Sequence, residues 1–328
     1  MGIFDFFKKK ENTQKSNEPV KKNLAKEDGR NVKPNSLSEL KSIGAKKSLN
    51  DLYAEKLQNK PAEEPNPNKI EVVLDDTGTH QENFGGLFGF NYANSKKGNK
   101  FLYEMVALSA IQPPFYENPV YSVAEVGFGE ASGGSELVKI RSIKHNDQIL
   151  SAFPYLKTTY TLPFETKQII EWSHIAKLEA EIKGGGRDTF GLAFFATDYG
   201  INRNKYKSIK KLNINISAIA MVLDKSDLTE INGTPLSPDF ATYMPSKDIL
   251  RPTYYDFIGV LNNFQECNLS KDSLGYILNV KLINQENEPD FFTVDMFVNR
   301  ENMRITDLKK GMKVAGALWF QGEIAKDS

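Results

Sequence analysis

The sequence predicts a mainly β protein, an antiparallel β-rich body behind a disordered N-terminal arm, with an α+β arrangement as the alternative. Three observations predict this. From Lys69 onward, apolar and polar residues alternate in short segments, as they do on the two faces of a strand. Turn signals rich in Gly and Pro separate those segments. Aromatic residues are scarce before Lys69, so the first part of the chain lacks the side chains that build a core.

The arm is predicted over residues 1–68. Of 36 aromatic residues in the chain, the arm holds only Phe4, Phe6, Phe7 and Tyr53. A composition dominated by Lys, Glu, Asn, Ser and Pro does not offset the entropy cost of ordering a chain. Two apolar islands, Ile3–Phe7 and Ser48–Leu57, have the spacing of short helices. Such helices are marginal alone; the alternative is docking to a protein partner or, for Ile3–Phe7, association with a membrane.

Residues 69–249 form the predicted β-rich domain. Phe84–Tyr92 is rich in Gly and aromatic residues and is predicted as a loop or irregular edge. Two helices are predicted, Asn99–Ile111 before two prolines and Glu165–Ser173 after Pro163. The predicted strands before residue 160 are Ile70–Leu74, Tyr121–Val126, Val138–Ile143 and Gln148–Tyr155.

The clearest local pattern lies in the second half of that domain. Apolar residues alternate with Glu179, Glu181 and Lys183, and Gly184–Gly186 follows. Thr189–Thr197 is apolar again, so the sequence predicts a hairpin here. A further strand is predicted over Leu212–Leu223.

Residues 250–328 are predicted to form a small C-terminal β segment. Four strands are predicted, with a polar connection before the last, over Tyr255–Leu261, Tyr276–Leu282, Phe292–Val298 and Met312–Ile324. This order is typical of a small OB-like barrel, and a β-sandwich or meander explains the same pattern.

Two motifs resemble an uncharacterised family of bacterial proteins. They are EAEI and FFATDY within Glu179–Tyr199, and GALWFQGEI at Gly316–Ile324. The resemblance covers about residues 160–328. It implies a bacterial, cytoplasmic origin, and no activity is known for that family.

Charge and cysteine content narrow the function classes. The chain has 42 basic and 42 acidic residues, with a net charge of +4 in residues 1–68 and −4 in the rest. This balance argues against a protein that mainly coats nucleic acid or acidic membrane. The single cysteine, Cys267, excludes an intrachain disulfide and a Cys-rich metal site, and it fits a reducing compartment. The first residues lack the order of a signal peptide, so a cytoplasmic protein is expected.

The strongest candidate for chemistry is the segment DDTGTH after the first predicted strand. Asp75, Asp76 and His80 could hold a hard divalent metal or act as an acid–base pair, which would make the protein a metal-dependent hydrolase. The same residue types also describe an ordinary polar turn.

Other motifs are weaker. Asp198 ends an apolar strand and precedes Arg203 and Lys205, so an anion pocket or a solvated loop is expected there. The glycines of Gly127–Gly134 lack the spacing of a nucleotide-binding loop, and Cys267 has no neighbouring cation that would activate it. The chain has no complete catalytic motif, and no cofactor is predicted.

The sequence therefore predicts a non-catalytic binding or scaffold protein of the bacterial cytoplasm, which recognises a protein partner and uses its arm as a tether. The first alternative is the metal-dependent hydrolase. The second is single-stranded nucleic-acid binding by the C-terminal β segment. That segment has nine basic and eleven acidic residues, so it lacks the usual positive charge of such a surface.

Overall fold

Strands dominate the structure, which confirms the mainly β class predicted from alternation. The computed structural model describes residues 69–129, 133–146, 148–186, 190–231, 233–285 and 288–326. The predicted arm, with its two islands, lies outside the described residues, and Ile70–Ser328 is one compact unit.

The first half of the described chain contains three helices and five strands. These are β1 (Glu71–Asp75), α1 (Gln81–Phe88), α2 (Phe90–Asn94), α3 (Lys96–Ile111), β2 (Tyr116–Glu117), β3 (Ser122–Gly127), β4 (Val138–His145) and β5 (Gln148–Leu156). None of the described helices is long and apolar enough to cross a membrane.

The second half is almost entirely strand. Its elements are β6 (Thr161–Trp172), β7 (Ala180–Gly186), β8 (Phe190–Ala196), α4 (Tyr199–Ser208), β9 (Lys211–Lys225), β10 (Glu230–Ile231), β11 (Thr234–Pro235), β12 (Thr242–Pro245), β13 (Tyr254–Glu266), β14 (Gly275–Gln285), β15 (Glu288–Asn299) and β16 (Lys313–Ile324). Single 3-10 turns follow β6 at Ser173–Ile175 and β15 at Arg300–Asn302.

The main sheet closes into two five-stranded barrels that share two strands. In the first barrel, each strand pairs with the next in the order β6, β7, β8, β16, β9 and back to β6. In the second, the order is β13, β14, β15, β9, β16 and back to β13. Each barrel has one parallel pair, β8 with β16 in the first and β15 with β9 in the second.

The shared strands form a long antiparallel ribbon that runs from the pair Ile214–Ile324 to the pair Lys225–Val314. On its side away from β16, β9 pairs first with β6, through Lys211–Asn215, and then with β15, through Ser217–Ala220. β16 pairs with β13 along its first part and with β8 near its end. The elements β6–β7–β8–α4–β9 and β13–β14–β15–3-10 turn–β16 follow the same order. The body therefore consists of two halves with the same order of elements. The last strand of each half, β9 or β16, also forms part of the barrel of the other half.

The strands of residues 250–328 do not close a barrel by themselves. β13, β14, β15 and β16 supply four sides, and β9 from the preceding segment supplies the fifth. Residues 69–249 and 250–328 are thus joined through one continuous sheet, with a common core that includes Phe194, Ile216, Leu278 and Phe320.

A second, four-stranded antiparallel sheet, β2–β3–β4–β5, lies beside the barrels and packs against α3. Arg141 on β4 is buried and joins this sheet to the first barrel. Its guanidinium pairs with Glu125 on β3 at 2.9 Å and with Glu323 on β16 at 3.3 Å. The carboxylates therefore balance the buried positive charge from both sides of the interface.

The prediction of a loop or irregular edge at Phe84–Tyr92 was wrong, because this segment lies within α1 and α2. The glycines there allow a helix to approach a sheet closely. A Cβ atom at Gly86 would lie 2.7 Å from Met221 Sδ and 3.0 Å from Ile219 Cγ2 of β9. Glycine at this position reflects packing, not a turn.

The predicted helix at Glu165–Ser173 was also wrong, because residues up to Trp172 belong to β6. The side chains of Leu162, Phe164 and Thr166 are buried, whereas those between them are more exposed. This is the period of two expected for a strand. A register shift between Thr166 and Gln168 then interrupts the pattern, which hides it in the sequence.

Candidate functional site

The three residues of the predicted metal site are held by different partners. Asp75 ends β1, accepts hydrogen bonds from the backbone N (2.8 Å) and Oγ1 (2.7 Å) of Thr77, and forms an ion pair with Arg251. Partial burial acts to raise the pKa of Asp75, but the Thr77 hydrogen bonds and the Arg251 charge outweigh it and lower the pKa to about 2. Asp76 is exposed beside it.

His80 lies inside a box of aromatic rings. The ring centroids of Phe153, Trp172, Phe195 and Trp319 are 4.8–6.2 Å from that of the imidazole. Asn83 Nδ2 donates to His80 Nδ1 at 3.0 Å, so Nε2 carries the proton and donates to Glu179 Oε2 at 3.2 Å. His80 is 7% exposed and anchors the start of α1 to the first barrel.

Asp75 and His80 are therefore held by different partners in the surroundings of Trp172. Arg251, the ion-pair partner of Asp75, packs over the Trp172 ring, and the imidazole packs against that ring as well. In the described part of the chain, no group of three or more His, Cys, Asp or Glu side chains is arranged to hold a metal ion.

Asp198 lies in a separate network. Its carboxylate accepts hydrogen bonds from Tyr206 Oη (2.7 Å), Asn202 Nδ2 (2.7 Å) and the backbone N of Ile324 (3.1 Å). Burial raises its pKa to about 6. Arg203, expected to help form an anion pocket, instead pairs with Glu171 at 2.7 Å.

The sequence pattern missed the roles of Glu179, Glu181 and Arg251. Glu181 lies in β7 and Glu179 directly precedes it, and both alternate in sequence with apolar residues, yet each is only 1% exposed. Glu181 and Asp75 share the guanidinium of Arg251, and Thr253 Oγ1 donates to Glu181 Oε1 at 2.9 Å. In the sequence, the only sign of this buried, ion-paired surface is that two glutamates lie on the same side of one predicted strand.

The most suitable binding site is a groove of about 630 Å³ between β8 and the β12–β13 pair. Its lining is mainly apolar and aromatic. The lining residues are Lys183, Gly184, Phe190, Gly191, Leu192, Ala193, Thr242, Tyr243, Pro245, Pro252, Tyr255 and Ile283.

The groove lies along an open edge of β8. This strand pairs with β7 from Phe190 to Phe195, but β16 pairs only with its last two residues, Phe195 and Ala196. Successive residues of an antiparallel pair direct their backbone groups alternately toward and away from the partner strand. The outward positions that β16 leaves uncovered are Gly191 and Ala193.

Two tyrosine hydroxyls from the opposite wall contact these outward groups. Tyr243 Oη donates to the carbonyl oxygen of Gly191 at 2.8 Å, and the backbone N of Ala193 donates to Tyr255 Oη at 2.8 Å. The two tyrosine rings pack edge to face at 5.3 Å, and burial raises the pKa of both, that of Tyr255 to about 12. Both hydroxyls are thus neutral at physiological pH.

Lys183 is the one charged side chain among the described residues that line the groove. It is half-buried, and no acidic side chain of the described chain forms an ion pair with it. The groove therefore combines an apolar surface with a single uncompensated positive charge.

A second pocket, of about 350 Å³, lies between α3 and the loop before β14. Its lysines are largely neutralised within the pocket, since Lys97 pairs with Asp272 at 2.9 Å and Lys100 with Glu104 at 3.6 Å. This pocket has less apolar surface than the groove. We therefore take the groove as the candidate binding site.

Comparisons with protein-family models, with curated proteins and with solved structures find no match to this chain.

Proposed function

We propose that this protein is a non-catalytic binding protein that recognises a protein partner through the groove between β8 and β12. The observation that carries the proposal is the apolar, aromatic lining of the groove together with the open space beside the exposed Gly191. Apolar pockets of this kind supply affinity to a segment of a protein partner.

Gly191→Leu tests this proposal. A Cβ atom at Gly191 would meet no atom within 4 Å, so the larger side chain fills the groove without disturbing the core. A photo-crosslinking probe at Thr242, in the groove, should label a protein partner in the native chain. The same probe in the Gly191→Leu variant should not label that partner. The purified partner should then bind the native protein directly and bind Gly191→Leu at least tenfold more weakly. An unchanged affinity would contradict the proposal.

The arm is proposed to tether the protein to its partner or to a membrane surface, and the bacterial cytoplasm is the proposed compartment. Support comes from the sequence alone, from the apolar islands at Ile3–Phe7 and Ser48–Leu57 and from the single cysteine. Partner capture with and without residues 1–68 tests the tether, and identical partners at identical yield would rule it out.

The metal-dependent hydrolase is a weaker alternative. The three candidate ligands, Asp75, Asp76 and His80, are close together in the sequence. However, Asp75 forms an ion pair with Arg251. Both imidazole nitrogens of His80 already have hydrogen-bond partners, Glu179 and Asn83. Metal analysis of the purified protein beside Asp76→Ala tests it, because a metal site at these residues requires a stoichiometric divalent ion that the variant loses.

Single-stranded nucleic-acid binding is the second alternative. Small five-stranded barrels and aromatic grooves support such a function in other proteins. The single charge of Lys183 attracts a phosphate backbone only weakly. Binding of nucleic acid usually requires several cationic side chains. A salt-dependent shift of a labelled 12-nucleotide oligothymidine at low ionic strength would favour this alternative.

A further inference from the structure

We infer that the body docks onto a membrane surface rich in anionic phospholipids through α4 and the edge strand β1. Two features of this region carry the inference. One is a cluster of cations with too few carboxylates to neutralise it, and the other is a set of exposed aliphatic side chains beside that cluster. None of these residues lines the groove, so the inference goes beyond the proposed function and does not depend on it.

The cations lie along α4 and the neighbouring part of β6. From Tyr199 to Lys211 the chain has five basic residues and no acidic one. A sixth cation, Lys167 of β6, is exposed and acts on the Glu165 carboxylate together with Lys210 and Lys211. We call these six side chains the basic cluster. Its members are Lys167, Arg203, Lys205, Lys207, Lys210 and Lys211.

Two carboxylates of β6 hold the basic cluster against the first barrel. Arg203 Nε donates to Glu171 Oε1 at 2.7 Å, and Lys207 Nζ pairs with the same oxygen at 2.8 Å. Lys210 Nζ pairs with Glu165 Oε1 at 2.9 Å. These ion pairs fix the position of the cluster on the surface of the fold.

The two carboxylates neutralise only part of the charge. Lys205 is exposed and forms no ion pair with a described residue. Lys211 is 74% exposed and lies 3.9 Å from Glu165, which also binds Lys210. Six cations against two carboxylates leave a positive region on a body with a net charge of −4. Such a region attracts the anionic headgroups of a membrane.

Exposed aliphatic side chains lie beside the basic cluster. Leu74 of β1 is the pairing partner of Glu171, and paired residues of neighbouring strands point to the same side of a sheet. Leu74 is 59% exposed, and Val72, which precedes it on the same face of β1, is 42% exposed. Ile209, directly before Lys210, is 43% exposed. The cations therefore border a small apolar surface.

This composition fits a membrane better than other anionic partners. Five of the six cations are lysines, which are depleted at protein–protein interfaces. Single strands of nucleic acid stack on exposed aromatic rings, but both tyrosines of α4, Tyr199 and Tyr206, are fully buried. A bilayer offers anionic headgroups to the lysines and an apolar boundary to Leu74 and Val72.

Vesicle binding by the full-length protein tests the inference. The protein should sediment with phosphatidylcholine vesicles that contain about 30% phosphatidylserine, but not with phosphatidylcholine alone, because the attraction is electrostatic. Raising the ionic strength from about 0.1 M to about 1 M should release the protein, because salt screens exposed charges. If the protein stays in solution with anionic vesicles at low salt, the inference is wrong.

Charge reversal locates the contact. Lys205→Glu should lower the vesicle partition coefficient at least about fivefold, which is the contribution of one cation near an anionic membrane. Lys309→Glu is the matched control, because Lys309 is also exposed. It precedes β16, whose start pairs with Lys225, at the opposite end of β9 from Lys211. Equal losses in the two variants would contradict docking through the basic cluster.

Insertion of Leu74 has its own readout. The two tryptophans of the chain, Trp172 and Trp319, are buried, so Leu74→Trp adds one exposed indole. Phosphatidylcholine brominated on its acyl chains should quench this indole in anionic vesicles. Leu228→Trp is the control at an exposed leucine after β9 and should not be quenched. Leu74→Gln should weaken vesicle binding at least about threefold. Equal quenching at the two positions would overturn the inference.

The remaining outcomes separate this inference from the other proposals. Vesicle binding that neither Lys205→Glu nor Leu74→Gln weakens would refute it and assign membrane binding to another part of the chain. Oligothymidine binding that Lys205→Glu weakens, without vesicle binding, would refute it in favour of nucleic acid. Gly191→Leu should leave vesicle binding unchanged, so failure of the groove proposal and failure of membrane docking are distinguishable.

Discussion

The buried carboxyl of Asp198 shows how one residue makes stability depend on pH. Its three hydrogen-bond donors are neutral, and in the described chain no cation pairs with it, so burial raises its pKa from 3.8 to about 6. The folded protein therefore binds this proton more tightly than the unfolded chain. The resulting stabilisation is complete below about pH 4 and is lost as the pH rises through 6.

Asp198→Asn removes this titration. Relative to the variant, the native protein should lose about 2–3 kcal/mol of unfolding free energy between pH 4 and pH 7.5, because each pKa unit corresponds to about 1.4 kcal/mol. Urea denaturation across this pH range measures the difference. Asp76→Asn is the control for an exposed aspartate. Parallel stability curves for the native protein and Asp198→Asn would contradict the prediction.

His80 is expected to act as a packing and hydrogen-bonding residue. His80→Ala empties the aromatic box and removes the hydrogen-bond donor to the buried Glu179 carboxylate, whose other oxygen, Oε1, has no partner within the described residues. Breaking a buried pair in this way should cost about 3–5 kcal/mol. The exposed His174 is the control, and His174→Ala should change stability by less than about 0.5 kcal/mol.

Chelator distinguishes this role from metal binding. If His80 is structural, urea denaturation of the native protein is the same with and without EDTA. A chelator-induced loss of stability that disappears in His80→Ala would instead support the metal-site hypothesis.

At the scale of single elements, alternation predicts strands well wherever one face is buried throughout. The strands predicted at Tyr276–Leu282 and Phe292–Val298 lie within β14 and β15. Alternation fails where packing imposes another demand. α1 carries glycines because it lies against β9, and β6 contains a bulge that breaks its period. These demands come from elements far away in the chain, and a local pattern does not contain them.

The close approach of α1 to β9 predicts unequal effects of two glycine substitutions. Gly86→Val forces a side chain against Met221 and Ile219, and overpacking of this kind should cost about 1–3 kcal/mol. Gly191→Val enters open space in a strand, so its effect should stay within about 0.5 kcal/mol. Thermal and urea denaturation of the two variants measure the contrast, and equal destabilisation would contradict it.

At the scale of the whole molecule, the shared ribbon makes the two barrels interdependent. Residues 250–328 alone lack β9, which leaves β15 and β16 with unpaired edges. We expect that fragment not to fold, and the full body to unfold in a single transition. Circular dichroism of the fragment and calorimetry of the whole chain test this. A folded fragment with dispersed amide resonances would contradict the expectation.

The candidate groove shows the limit of sequence reasoning at this scale. Phe190 and Tyr243 belong to strands that are predicted as ordinary core segments or not predicted at all, since β12 is only four residues long. Their convergence depends on how the two barrels are joined. The sequence indicates two β segments, but it carries no local sign that the last strand of one completes the other.

Because each barrel contains both β9 and β16, the chain can be cut between its two halves without separating them. The connection from β9 to β13 passes through the short, largely exposed strands β10 and β11. After proteolytic cleavage there, the two polypeptides would still be held together by the backbone hydrogen bonds between β9 and β16. Co-expressed halves should therefore assemble into a heterodimer.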